Sequence, residues 1–159
     1  MATRSNIIFN YGYTKIFFYR HYDGYLAETG KNLIEMLVDC KKPDKFIESV
    51  LEDKKYEITN GIHSDIEYLY EINFRFIYEP KIELSIRFVK RDNFNEEITN
   101  EVLEKQDFLT ISQFKAAVNK EIKKTNLRIQ DLNKHPKIEF LYFGPNGVQR
   151  MKGEKKCIK

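Results

Sequence analysis

Between Glu67 and Tyr78 the sequence alternates with a period of two. Tyr68, Tyr70, Ile72, Phe74 and Phe76 fall on one side, and Glu67, Leu69, Glu71, Asn73 and Arg75 on the other. Successive side chains of a strand point to opposite faces, so the run predicts one long strand. Glu79-Pro80-Lys81 turns the chain, and Ile82, Leu84, Ile86 and Phe88 alternate again with Glu83, Ser85 and Arg87. Two long strands joined by so short a turn run antiparallel, because a parallel pair needs a crossover of about a dozen residues. Whatever else the chain forms, it must cover the aromatic face of this hairpin.

The flanking segments supply the cover. Asn6–Asn10 and Thr14–Tyr22 are β-branched and aromatic runs around Tyr11-Gly12-Tyr13, the pattern of a hairpin, and Asp23-Gly24 breaks the second strand. Leu33, Ile34, Leu37 and Val38 recur at helical spacing, which predicts an amphipathic helix over Thr29–Cys40 that ends at Lys42-Pro43. Pro43 and Asp44 suit the first turn of a second helix with Phe46, Ile47, Val50 and Leu51 on its buried stripe. Asn60-Gly61 marks a turn within Tyr56–Ser64. Arg91–Asp107 is polar and reads as a loop or a poorly anchored short helix.

Thr110-Ile-Ser-Gln113 matches a capping box. Behind it Ile111, Phe114, Val118, Ile122, Thr125, Ile129 and Leu132 form the stripe of the longest helix, which ends near His135-Pro136. Lys137–Phe143 reads as a last strand and Gly144–Gly147 as a turn. Strands and helices in segregated blocks predict an α+β fold: an antiparallel sheet with helices packed mainly on one face. We expect a single domain over residues 1–152 and a basic, mobile tail over 153–159.

A chain of 159 residues with 12 Phe and 10 Tyr has ample material for a core, which excludes wholesale disorder. No apolar run approaches the ~20 residues of a membrane span, and the start Met1-Ala-Thr-Arg-Ser lacks a signal-peptide core. Cys40 and Cys157 lie far apart, outside any metal-ligand spacing, and read as free thiols of a reducing cytoplasm, with a disulfide between them as the alternative.

The net charge of +3 hides an asymmetry. Residues 1–110 carry 15 basic and 20 acidic side chains, whereas residues 111–159 carry 12 basic and 4 acidic. Much of the excess lies opposite the apolar stripe of the long helix, at Lys115, Lys120, Lys123, Lys124, Arg128 and Lys134. Such a face can grip phosphates through charge without reading sequence, meet an acidic protein groove, or simply face water. Lysines give no bidentate geometry, so base-specific readout is not expected.

Motifs for chemistry are missing. No phosphate-cradling glycine loop, nucleophile elbow or Cys/His cluster occurs. Two His-x-Asp triplets, His21-Tyr22-Asp23 and His63-Ser64-Asp65, could place an imidazole and a carboxylate on one face of a strand, but turn residues produce the same pattern. His135 stands at a helix end, where a cation suits the dipole. No residue is assigned as catalytic or metal-binding, and no cofactor is expected. Tyr68, Tyr70, Phe74 and Phe76 read as core and not as a base-stacking platform.

The stretch Ala2-Thr-Arg-Ser-Asn6, followed by Tyr19-Arg-His-Tyr-Asp-Gly-Tyr25 and Thr29-Gly30, resembles small uncharacterised proteins of bacteriophages and prophages. The likeness covers about residues 2–30, and Leu26 stands where those proteins commonly have proline. It implies a phage origin and no reaction. Asp23-Gly24 reads as a tight turn anchored by Arg20; the rival reading has Arg20, His21, Asp23 and Tyr25 lining a binding site.

A small phage protein without catalytic groups is expected to work by binding in the host bacterial cytoplasm. The partner expected is a host defence protein or ribonucleoprotein, inhibited in the anti-CRISPR manner, with nucleic acid met through the basic C-terminal half. Two alternatives stand beside it. One is a metal-dependent nuclease or nucleotide-cleaving enzyme using His21, Asp23, His63 and Asp65; the other is a non-specific nucleic-acid binder.

Overall fold

The long alternating run forms β4 (Tyr68–Tyr78), and its partner forms β5 (Lys81–Lys90), paired antiparallel from Tyr68 opposite Lys90 to Tyr78 opposite Lys81. The computed structural model describes residues 2–39, 42–78, 81–93, 95–134, 141–144 and 147–150. Contacts divide the chain into two compact units, Met1–Lys123 and Lys124–Lys159.

In the first unit β1 (Ser5–Tyr11) and β2 (Thr14–Arg20) make the N-terminal hairpin, closed through a two-residue loop. Gly12 opens that loop at φ +58°, a conformation glycine adopts without strain. β3 (Glu57–Thr59) and β6 (Leu109–Thr110) are short edge strands, and the sheet runs β3-β2-β1-β4-β5-β6. Every pairing is antiparallel except β1 with β4, where Ser5–Tyr11 lie beside Tyr68–Phe74 in parallel. The fold is α+β, as the sequence pattern predicts. The parallel pair arises because the chain returns from the far edge of the sheet to lie beside its first strand.

Helices fill one face. A π-helical turn, Leu26–Gly30, leads into α1 (Lys31–Asp39), so helical structure begins three residues earlier than the periodicity predicts. α2 (Pro43–Glu52) follows with proline in its first turn. α4 (Ile111–Lys134) starts on the expected capping box: Gln113 N–H donates to Thr110 Oγ1 at 3.2 Å, and Thr110 N–H to Gln113 Oε1 at 2.9 Å. Leu33, Leu37, Phe46, Val50, Phe114 and Val118 pack against Ile7, Phe9, Phe18, Tyr70, Ile72 and Phe74 of the sheet. Burial of this apolar surface is the main driving force of the unit.

Three expectations are corrected here. Val38 and Leu51, assigned to buried stripes, are 61% and 52% exposed. On α4, Phe114 and Val118 are fully buried while Ile111, Ile122 and Thr125 are half-buried; the side chains of Ile129 and Leu132 lie outside the described residues. The polar segment before α4 is not poorly anchored: α3 (Asn100–Glu104) inserts Leu103, 1% exposed, into a second core.

That second core covers part of the opposite face. Ile8, Tyr19, Ile66, Leu69, Ile98 and Leu103 form it. The side of β4 that reads as polar is therefore partly enclosed, and Glu71 is only 6% exposed. Helices still lie mainly on one face, with short α3 on the other.

The second unit contains the C-terminal part of α4 and a hairpin of β7 (Leu141–Gly144) and β8 (Gly147–Arg150). The sequence pattern gives no sign of β8. The start of the predicted last strand, His135, both cysteines and the tail over 153–159 lie outside the described residues.

Candidate functional site

Thr3–Ser5, Arg20–Gly24 and Thr29 converge on one corner of the sheet. Gly24 N–H donates to the Thr3 carbonyl at 2.8 Å, and the buried Tyr70 hydroxyl donates to the Gly24 carbonyl at 2.9 Å. Thr29 Oγ1 donates to the Asp23 carbonyl at 2.8 Å. Asp23 sits at φ +55°, in the left-handed region that Asp tolerates better than most residues. A Cβ on Gly24 would stand 2.7 Å from the backbone carbon of Arg4 and 2.8 Å from the Ser5 nitrogen. The Asp-Gly pair is thus what lets the chain leaving β2 pass close to the start of β1. Arg20 fastens the corner from below, its Nε donating to the Tyr22 carbonyl at 2.8 Å.

Arg20, His21 and Tyr25, grouped by the sequence, are divided by the structure. Arg20 is 2% exposed on the helix-covered face, where it meets Tyr56 and Asn32, and half-buried Tyr25 packs against the same core. His21 projects to the other face, edge-on to Tyr19 with ring centroids 4.6 Å apart. His21 and Asp23 both lie beyond the end of β2, and Asp23, at φ +55°, breaks the alternation that would put the two on one strand face.

On that second face both histidine triplets meet Tyr19, which sequence reasoning did not single out. His63 stacks on its ring at 4.1 Å, and its hydroxyl donates to Asp65 Oδ2 at 3.0 Å. Arg4 Nη1 reaches the same carboxylate oxygen at 3.2 Å, and His21 Nε2 lies 3.1 Å from Glu57 Oε1. Burial, reinforced by the bond to Asp65, pushes the Tyr19 phenol up to about 12, so it stays protonated and donates. Residues Ile58–Asp65 line an open recess of about 900 Å³ beside this cluster. Tyr19 lies two positions before His21, a spacing that could have placed it on the same face.

Among the described residues no group of three or more His, Cys, Asp or Glu is arranged to hold a metal ion. The imidazoles engage Tyr19 and Glu57; the Asp65 carboxylate engages Tyr19 and Arg4.

The basic residues of α4 lie elsewhere. Lys115, Lys120 and Lys123 of the first unit are exposed, as are Lys124 and Arg128 of the second, and none makes an ion pair among the described residues. The side chain of Lys134 lies outside them. No helix of the described residues is long and apolar enough to cross a membrane.

Fold and site together define an α+β protein with an open, mostly antiparallel sheet and a basic helix. Comparison of the chain with protein-family models, with curated proteins and with solved structures found no match.

Proposed function

We propose that this is a phage-encoded accessory protein without catalytic activity that binds and inhibits a host defence nucleoprotein. The observation that carries the reading is the run of exposed cations on α4: Lys115, Lys120, Lys123, Lys124 and Arg128, with no carboxylate bound to any of them among the described residues. Cations so presented favour a polyanionic surface through release of its counterions. Lysine predominance suits contact with a phosphate backbone and not with particular bases. The acidic N-terminal portion suits the basic protein component of such a complex.

The test is an affinity pull-down of the tagged protein from bacteria carrying a defence system, with and without nuclease, alongside phage plating on the same cells. One protein partner retained after nuclease, with plating restored on expression, supports the inhibitor. Recovery of nucleic acid alone, with no effect on plating, replaces it with a non-specific nucleic-acid binder.

A second reading rests on the convergence of His21 and His63 on Tyr19. A metal-dependent nuclease built there gains thermal stability from added divalent metal by mass action and loses cleavage on His21→Ala. We expect neither metal stabilisation nor cleavage; metal-dependent cleavage abolished by that substitution overturns the binding reading.

A further inference from the structure

Arg20 is a buried cation whose acceptors are all neutral. Nε donates to the Tyr22 carbonyl at 2.8 Å; Nη1 donates to the Tyr56 hydroxyl at 3.0 Å and to Asn32 Oδ1 at 3.4 Å. The guanidinium lies over the Tyr56 ring, 5.3 Å from its centroid, and Tyr56 donates in turn to Asn32 Oδ1. The phenols of Tyr25 and Tyr70 also lie within reach of its field. Asp23, Glu28 and Asp53 are near enough to act on these tyrosines, yet no carboxylate among the described residues forms an ion pair with Arg20.

A guanidinium has five N–H donors; Nε and Nη1 make all of these contacts, with the close Tyr56 and Asn32 oxygens on the same side of Nη1. The two on Nη2 meet no acceptor among the described residues. Nor is Nη2 sealed in: Ser5 Oγ is the one enclosed side-chain atom without a partner among those residues. A charge withdrawn from water is costly unless it is paired, and the natural complement of a guanidinium is an oxyanion. The backbone that follows Arg20 is irregular, with Asp23 at φ +55° and a π-helical turn over Leu26–Gly30, features that cluster at ligand sites.

We propose that Arg20 Nη2 is a binding site for an anionic oxygen, supplied by a free carboxylate or phosphate or by a carboxylate of a partner protein. With Nε committed to the Tyr22 carbonyl, the ligand oxygen binds at Nη2. Tyr56 and Asn32 fix the guanidinium in place. This site does not depend on the basic face of α4, and either can fail without the other.

The experiment follows the Arg side-chain N–H resonances of the full-length protein by NMR. Sodium acetate and, separately, inorganic phosphate are titrated against sodium chloride at constant ionic strength. Two further titrations use a short peptide ending in a free carboxylate and the same peptide amidated. The expected result is a saturable shift of the Arg20 resonances at least threefold larger than that of exposed Arg4. Saturation by acetate or phosphate assigns a free oxyanion; saturation by the peptide acid alone assigns a partner's carboxylate. Asn32→Asp places a carboxylate beside the guanidinium, so it should weaken the response at least tenfold while the protein stays folded. Arg20 resonances that move no further with any of these probes than with chloride overturn the proposal. So does a folded Asn32→Asp variant that responds like the wild type.

Discussion

Glu71 and Arg87 face each other across β4 and β5 in direct register, with Arg87 Nε 2.5 Å from Glu71 Oε2. Their side chains are 8% and 14% exposed, and Asn10 Nδ2 donates to the second carboxylate oxygen at 2.6 Å. The Arg87 guanidinium also lies 4.3 Å from the centroid of Phe108. Removing one partner of such a pair strands the other charge. Glu71→Ala should therefore cost about 3–5 kcal/mol in urea denaturation, far more than an ordinary polar-to-alanine change. A loss below about 1 kcal/mol shows that the pair is solvated and contributes little.

Gly12, in the N-terminal hairpin loop, and Gly24, just after β2, separate strain from crowding. Gly12 has φ +58° and open space where a side chain would stand, so Gly12→Ala should cost about 1–2 kcal/mol from backbone strain alone. Gly24 is crowded by the Arg4–Ser5 backbone, which cannot swing aside like a flexible side chain. Gly24→Ala should cost more than Gly12→Ala and should shift amide resonances at Thr3, Arg4 and Ser5. Equal losses, with no change at residues 3–5, contradict the crowding argument.

High pH should unfold the protein through its tyrosines. Burial raises the phenols of Tyr56 and Tyr68 to about 12, as it does Tyr19, and pushes fully buried Tyr70 well above its usual value. In the unfolded chain these phenols ionise near ~10, so between about 10 and 12 the folded state holds more protons. The stability they contribute is complete below about pH 10 and is lost as pH rises through 12. Tyrosinate absorbance at 295 nm should rise together with loss of far-UV circular dichroism. Ionisation of most of the ten tyrosines before any structural change contradicts this.

The long elements were legible because many residues repeat one signal. β4, β5 and α4 each offer several periods, and the Thr110/Gln113 box fixes where α4 begins. β3 and β6, with three and two residues, are too short to show a period and exist because longer neighbours offer them an edge. Periodicity also does not say whether a polar face is covered. Leu69 and Glu71 are enclosed by Ile98, Leu103 and Arg87, which are distant in sequence. Val38 and Leu51 fail for the converse reason: a short helix meets the sheet along a narrow line and leaves apolar neighbours of that line outside. At the candidate site the triplets were visible, but their meeting at Tyr19 depends on the pairing of β2 with β3.

The two faces of α4 should separate folding from binding. Phe114 is fully buried against Phe88, with ring centroids 5.8 Å apart, so Phe114→Ala should cost about 3–5 kcal/mol. Ile122 is half-buried, and truncating it should cost less than the ~2–5 kcal/mol of a fully enclosed aliphatic residue. Lys120, Lys123, Lys124 and Arg128 are exposed, so their change to Ser should leave stability within ~0.5 kcal/mol per site. The quadruple variant should keep the wild-type circular dichroism spectrum while its affinity for the captured partner falls. Its affinity should also depend less steeply on salt, because fewer counterions are released when fewer cations meet the partner. Binding as tight as wild type at every salt concentration makes this face a solvated surface, and the search for the contact then moves to the corner formed by Tyr19–Tyr25.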